Sequence, residues 1–314
     1  EKATSLKIKF KGEIKMTKPN WHGVFPAVTT QFNEDESINF KSTQEQVDKI
    51  IKDGVHGIIG AGTVGENCSL GFDEKIQLMK EIKDCIKGRV PLLSGVAEYT
   101  TSLASNYVKQ CEKIGIDGLM VLPGMVYKSD NRETVAHFKK IAESTKLPIM
   151  IYNNPVSYGV DIEPEQFELL KDNKNIVAIK ESSELVKRIT DLRNLYDDRF
   201  ILFSGVDDIV LESLMLGCTG WVSGISDVFP KECMQLYNYA QKKDWEKAKI
   251  MYQWLMPSLH LDTYPKLVQY IKLGQQIVGR GSETVRAPKL ILEGEERERI
   301  TNIFETAIKN PAKI

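Results

Sequence analysis

The feature that most constrains this chain is an alternation, repeated eight times, of a short apolar run with a longer amphipathic stretch. The runs are residues 23–29, 56–60, 90–95, 117–122, 148–152, 176–180, 200–205 and 220–224. Each is apolar nearly throughout, the pattern of strands covered on both faces in a parallel sheet. Between them, apolar residues recur at helical spacing. Val47, Ile50 and Ile51 share a face within 43–53, and Ile76, Leu78, Met79, Ile82 and Cys85 share one within 74–85. Strand and helix in succession imply an α/β fold, and eight such units close naturally into a (β/α)8 TIM barrel. An open doubly wound sheet could carry the same pattern. No linker or composition shift divides the chain, so the barrel is favoured.

Past residue 228 the periodicity is purely helical, over 231–242, 245–259, 264–278 and 294–309, with a Gly/Pro-containing loop (279–288) before the last. The expected organisation is a barrel over 16–228 and a C-terminal helical domain over 229–314. Residues 1–15 alternate lysine with apolar residues but lack the continuous apolar centre of a secretory signal. They are read as an N-terminal extension, with Met16 as the natural start.

Composition narrows the function. Net charge is −1 with no basic stripe, which argues against nucleic acid or an anionic membrane as partner and for a small molecule. No apolar run reaches the roughly 18 residues that a membrane span needs. The five scattered cysteines form no C-x-x-C pair and read as reduced, mostly packed thiols of a cytoplasmic protein. The four histidines have no metal-ligand spacing, and no H-E-x-x-H, G-x-S-x-G or Walker pattern occurs. No metal site is expected.

In such a barrel the active site lies at the carboxyl ends of the strands. Lys180 ends the run 175–179 and would be carried into the barrel mouth. Burial disfavours the ammonium, leaving the free amine that imine formation with a ketone requires. The bland alternative is a lysine that reaches the rim or pairs with Glu181. Tyr152 ends the preceding strand, and adjacent strands lie about 4.8 Å apart, so its phenol can move protons beside the amine. Asn153 and Asn154 are read as shaping the loop. The segment Gly60-Ala61-Gly62-Thr63-Val64-Gly65-Glu66 turns backbone amides inward, and the following helix would offer its positive end to a carboxylate or phosphate. Thr63 is placed to pass a proton to Tyr152. The same glycines match the dinucleotide fingerprint of an NAD-dependent dehydrogenase. The match falls on the second strand, however, and the carboxyl end of the next strand offers no acid until Glu98, more than 30 residues past the glycines where the fingerprint has one about 20 residues on.

These elements, G-T-V-G-E (62–66), Y-N-N-P (152–155) and I-K-E-S-S (179–183), with G-V-D-D (205–208) in support, resemble the dihydrodipicolinate synthase / N-acetylneuraminate lyase family from Gly23 to the C-terminus. The resemblance implies a (β/α)8 barrel with a helical C-terminal domain, assembled as a homotetramer or homodimer. It implies a metal-independent, cofactor-free lyase acting on pyruvate or a related 2-oxo acid through a lysine imine. Carried over, Lys180 forms the imine, Tyr152 is the general acid/base, Thr63 joins the relay, and the amides of Thr63 and Val64 hold the carboxylate. Gly205, Asp207, Asp208 and Ser223 would contact substrate, the two aspartates through its hydroxyls; the alternative for the aspartates is loop capping.

Three departures bear on substrate. Val64 stands where the family often has threonine. Met125 replaces a tyrosine that crosses a subunit interface, with Tyr127 the nearby substitute. Ser157 replaces the arginine that holds an aldehyde substrate's carboxylate. The last two argue against dedicated lysine biosynthesis. They favour aldol chemistry, dehydration or deamination of a hydroxylated or hydroxyproline-derived acid. A non-catalytic 2-oxo acid binder is the alternative from another class.

Overall fold

The computed structural model describes residues 18–314; the extension expected at 1–15 and the start expected at Met16 lie outside the described residues. Eight strands form: β1 (Gly23–Pro26), β2 (Ile58–Gly60), β3 (Leu92–Val96), β4 (Gly118–Val121), β5 (Ile149–Asn153), β6 (Ile176–Glu181), β7 (Ile201–Ser204) and β8 (Gly220–Ser223). From β2 to β8 each strand pairs in parallel with the next, and β1 pairs with β8. Between β1 and β2 the ring closes through a parallel bridge, Ala27 to Ile59, with Val28 N–H donating to the Ile59 carbonyl at 3.0 Å. This is the expected (β/α)8 barrel.

The strands are buried almost end to end, and Phe25 and Phe203 meet edge to face inside the sheet at 5.2 Å. The covering helices are α1 (Phe40–Lys52), α2 (Phe72–Ile86), α3 (Thr101–Ile114), α4 (Asn131–Glu143), the one-turn α5 (Pro155–Tyr158), α6 (Lys187–Tyr196), α7 (Val210–Met215) and α8 (Pro230–Gln241). Side-chain caps start several of them: Asn39 accepts Ser42 N–H, Thr100 accepts Leu103 N–H, and Asp130 with Glu133 forms a capping box. Helix α8 packs on β1 and α7 and, more extensively, on α9, so it joins the barrel to the helices that follow. The appendage proper is α9 (Trp245–Leu259), α10 (Leu267–Ile277) and α11 (Gly294–Lys309), close to the expected spans.

Several ion pairs join appendage to barrel, and one of them is fully buried. Lys272 of α10 donates to Glu66 at 2.7 Å, and neither side chain has any exposure. Lys272 also reaches the Thr284 carbonyl and lies over the Phe32 ring, 4.4 Å from its centroid. Removing one member of a buried pair strands the other charge, at a cost of about 3 kcal/mol or more. Lys272→Met should therefore lower stability by about that amount in urea denaturation. The double substitution Glu66→Gln/Lys272→Met should recover part of the loss.

Candidate active site

A register irregularity sets up the site. Strand β5 pairs Ile149 with Ile176 but Met150 with Ala178, skipping Val177. The slip brings Tyr152 level with Lys180 instead of Ile179. Because side chains alternate faces along a strand, a one-residue change decides whether two side chains share a face. Here they do: the Lys180 amine lies over the Tyr152 ring, 3.6 Å from its centroid.

Both groups are enclosed, Lys180 with 6 % and Tyr152 with 5 % of its surface exposed. Burial lowers the Lys180 pKa to about 8, against the opposing pull of Asp262 and Asp207. Burial likewise pushes the Tyr152 phenol above its ordinary value, while a 3.0 Å bond from the Asn154 amide acts the other way. Glu181 does not pair with Lys180. Its carboxylate accepts Ser183 N–H at 2.7 Å and the Asn153 amide at 3.2 Å.

Around the pair is a cavity of about 400 Å³, lined among others by Thr63, Val64, Gly205 and Ser223. Thr63 and Val64 lie in a turn closed by Glu66 N–H to the Thr63 carbonyl and Asn67 N–H to the Gly62 carbonyl. Among the described residues no hydrogen bond occupies the N–H of Thr63 or Val64, which leaves two donors for an anion. The expected help from a helix end is not there. After the turn come a left-handed Glu66 and a short 3-10 turn (Asn67–Ser69), and α2 begins only at Phe72. The two free amides therefore have no helix end behind them.

Two further placements differ from expectation. The Thr63 hydroxyl bonds to the Tyr158 hydroxyl, and the bond to the Tyr152 oxygen comes from Asn154. Asp207 and Asp208 are engaged elsewhere and do not line the cavity. Asp207 accepts the Trp221 indole N–H at 2.8 Å and Ile225 N–H at 2.9 Å, pinning β7 to the segment after β8. Asp208 contacts His260 at 2.9 Å. The acid in the cavity is instead Asp262, whose carboxylate accepts Asp207 N–H at 3.0 Å, and Glu184 stands at the rim. Met125 is buried outside the cavity lining, and Tyr127 is 63 % exposed, its hydroxyl turned to Glu133. Asp262 and Tyr158 drew no attention in the sequence. The first lies in the gap between two helical stretches of the C-terminal domain, and the second is a lone tyrosine past the Y-N-N-P motif.

The profile of the dihydrodipicolinate synthetase family matches residues 20–307. The chain belongs to that family. It is 31% identical to the 4-hydroxy-tetrahydrodipicolinate synthase of Desulforamulus reducens over 92% of this chain and 98% of that one. It is 30% identical to the synthase of Methanocaldococcus jannaschii over 90% and 97%. Among solved structures it is similar to a dihydrodipicolinate synthase from Bacillus anthracis, with a TM-score of 0.88, 29% identity, and coverage of 91% and 98%. The enzyme from Acinetobacter baumannii complexed with pyruvate is also similar, with a TM-score of 0.86, 26% identity, and the same coverage. Family membership makes this chain a lyase of the metal-independent, pyruvate-dependent aldolase type. Among the described residues no helix is long and apolar enough to cross a membrane, and no cluster of side chains could hold a metal ion.

Within the family site, position 205 tolerates only glycine. A methyl group there would lie 2.7 Å from the Cε and Cγ of Lys180 and closer still to the Ser182 hydroxyl. Gly205→Ala should push the amine off Tyr152 and cut the rate of borohydride inactivation in the presence of pyruvate by about 100-fold, the cost of roughly ångström-scale misplacement. Circular dichroism should show the fold intact. A full rate would mean that Lys180 need not be held where it is.

Proposed function

We propose that this protein binds pyruvate or a related 2-oxo acid as an imine on Lys180 and makes or breaks a bond at the adjacent carbon. The observation that carries this reading is an enclosed lysine with a pKa of about 8, in register with a buried phenol and beside two unoccupied backbone donors. The Thr63 and Val64 amides hold the carboxylate. The Lys180 nitrogen attacks C2, and Tyr152 protonates the ketone oxygen. The carbinolamine loses that oxygen as water, and the cationic imine draws electrons from C3 as its proton leaves to Tyr152. The resulting enamine adds to an electrophile, or forms in reverse by cleavage or elimination.

The rest of the cavity favours a hydroxylated distal end over a second carboxylate. Among the described residues Lys180 is the one cation lining it, while Glu184 and Asp262 are carboxylates and Ser157 stands where an arginine would be needed. The Ser182 hydroxyl is buried without a partner and is free to meet a substrate group. A hydroxylated 2-oxo acid, in aldol cleavage or addition, dehydration or deamination, is the substrate class we assign. The Asp207 and Asp208 carboxylates act as structural anchors in this reading, and Gly205 and Ser223 as walls. The free thiols suit a cytoplasmic enzyme, and we assign it the homotetrameric or homodimeric assembly of its family.

Borohydride trapping with pyruvate, read by peptide mass spectrometry, tests the proposal. The adduct should sit on Lys180 and vanish in Lys180→Ala. No adduct with pyruvate or a panel of 2-oxo acids, from folded protein, would turn the reading toward a non-catalytic binder. The trapping rate should rise with pH and level off above about 8, as the buried amine loses its proton. In Asp262→Asn, loss of the charge that favours the ammonium should move the plateau to lower pH. A plateau that stays put would remove Asp262 from the electrostatics of Lys180.

A further inference from the structure

We infer that Tyr158 is the second phenol of the proton path in this site and comes from the same chain; this rests on the imine reading above. Tyr152 keeps only 5 % of its surface exposed, which limits its direct access to water. Tyr158 is half-buried, lines the same cavity and packs edge to face on Tyr152, with centroids 5.8 Å apart at 82°. Its hydroxyl is bonded to that of Thr63. The order Tyr152, Tyr158, Thr63 therefore runs from the amine outward.

The backbone holds Tyr158 there by a compact device. Asn154 caps α5 by accepting Ser157 N–H at 2.9 Å, while its amide donates to the Tyr152 hydroxyl at 3.0 Å. One side chain thus fixes both the helix that carries Tyr158 and the phenol it faces. Pro155 opens the turn and Gly159, left-handed at φ 69°, closes it. With the Tyr152 oxygen already accepting from Asn154, its own hydrogen is left for the substrate side. Of the other candidates among the described residues, Met125 is apolar and Tyr127 faces Glu133, while Tyr264, on the wall supplied by the C-terminal helices, is 45 % exposed.

The proton balance is simple. As the carbinolamine collapses, the C2–O bond breaks and the oxygen leaves as water, taking the Tyr152 proton. The phenolate is reprotonated by Tyr158, which is replenished through Thr63 and solvent. When the enamine forms, the relay runs in reverse: Tyr152 passes its hydrogen to Tyr158, and Tyr158 its own through Thr63 to solvent, as the Tyr152 oxygen takes the C3 proton. Burial pushes both phenols above their ordinary values, so neither persists as phenolate and a hydroxyl must be at hand at each transfer.

The test needs no knowledge of the second substrate. In D2O the enzyme should exchange the methyl hydrogens of pyruvate through the enamine, a rate read by proton NMR. Tyr158→Phe keeps the ring on Tyr152 and should slow exchange by about 100-fold, while the half-saturating pyruvate concentration changes by less than about twofold. Added imidazole buffer should restore part of that rate and leave the wild type unchanged, a response that a merely structural role would not give. Thr63→Val should slow exchange too, with little further loss on top of Tyr158→Phe. Tyr127→Phe should exchange normally, at a rate per site independent of protein concentration. Full exchange by Tyr158→Phe overturns the inference, as does a slow variant with weakened pyruvate binding and no buffer rescue. A slow Tyr127→Phe beside a normal Tyr158→Phe would assign the role to a neighbouring copy. A wild type that gives neither exchange nor a borohydride adduct would instead remove the imine reading, and this inference with it.

Discussion

The ammonium of Lys180 is held at the end of a strand whose every residue is buried, and its desolvation governs what surrounds it. The fall from the ordinary 10.5 to about 8 corresponds to about 3 kcal/mol against the charged form. Since the folded value lies below the unfolded one, the penalty is fully present below pH 8. It is relieved as pH rises from about 8 toward 10.5, the reverse of a lysine that gains a partner on folding. Two nearby carboxylates pull the other way and do not win. The barrel therefore accepts a local loss of stability at neutral pH to keep a nucleophilic amine.

The proposed mechanism also requires a substrate carboxylate to be held near that amine, and the appendage supports the turn assigned to that task from outside the barrel. Glu66 sits in a left-handed conformation directly after the Thr63–Val64 turn, a strained geometry for a residue with a side chain. Lys272 clamps its carboxylate, and Arg286 adds a backbone N–H at 3.2 Å. The turn that presents the free amides is thus tied to α10 and to the loop after it. The helical extension also lends Asp262, Tyr264 and Leu267 to the cavity wall. It is part of the site as well as packing around it.

How much of this could be read in the sequence follows from the range of each determinant. All eight strands were legible because burial on both faces leaves an unbroken apolar run. Lys180 and Tyr152 were legible because each ends such a run. The slip at Val177 that puts them on one face was not, since a parallel bulge has no composition signal of its own. The absence of a helix behind the glycine turn was equally hidden, because Asn67–Ser69 could as well begin a helix as a single 3-10 turn. Asp207 and Asp208 looked like substrate ligands by motif. Their partners Trp221, Ile225 and His260 are set by tertiary packing, and only the fold shows the carboxylates taken.

In the proposed imine mechanism, Asp262 serves opposite ends at successive steps. Before the imine forms it works against catalysis, because a carboxylate near Lys180 favours the ammonium over the amine that must attack. Once nitrogen is bonded to substrate, the cation is an obligatory intermediate, and the enclosure that penalised the ammonium would penalise it as well. The same carboxylate then stabilises the charge that draws electrons from C3, in surroundings where such an interaction is stronger than in water. Its own carboxyl is pushed upward by burial and anchored by Asp207 N–H, which restrains how fully it offsets the lysine's desolvation. A pKa of about 8 is what this compromise leaves: low enough for an appreciable fraction of free amine near neutrality, with a counter-charge in place for the imine.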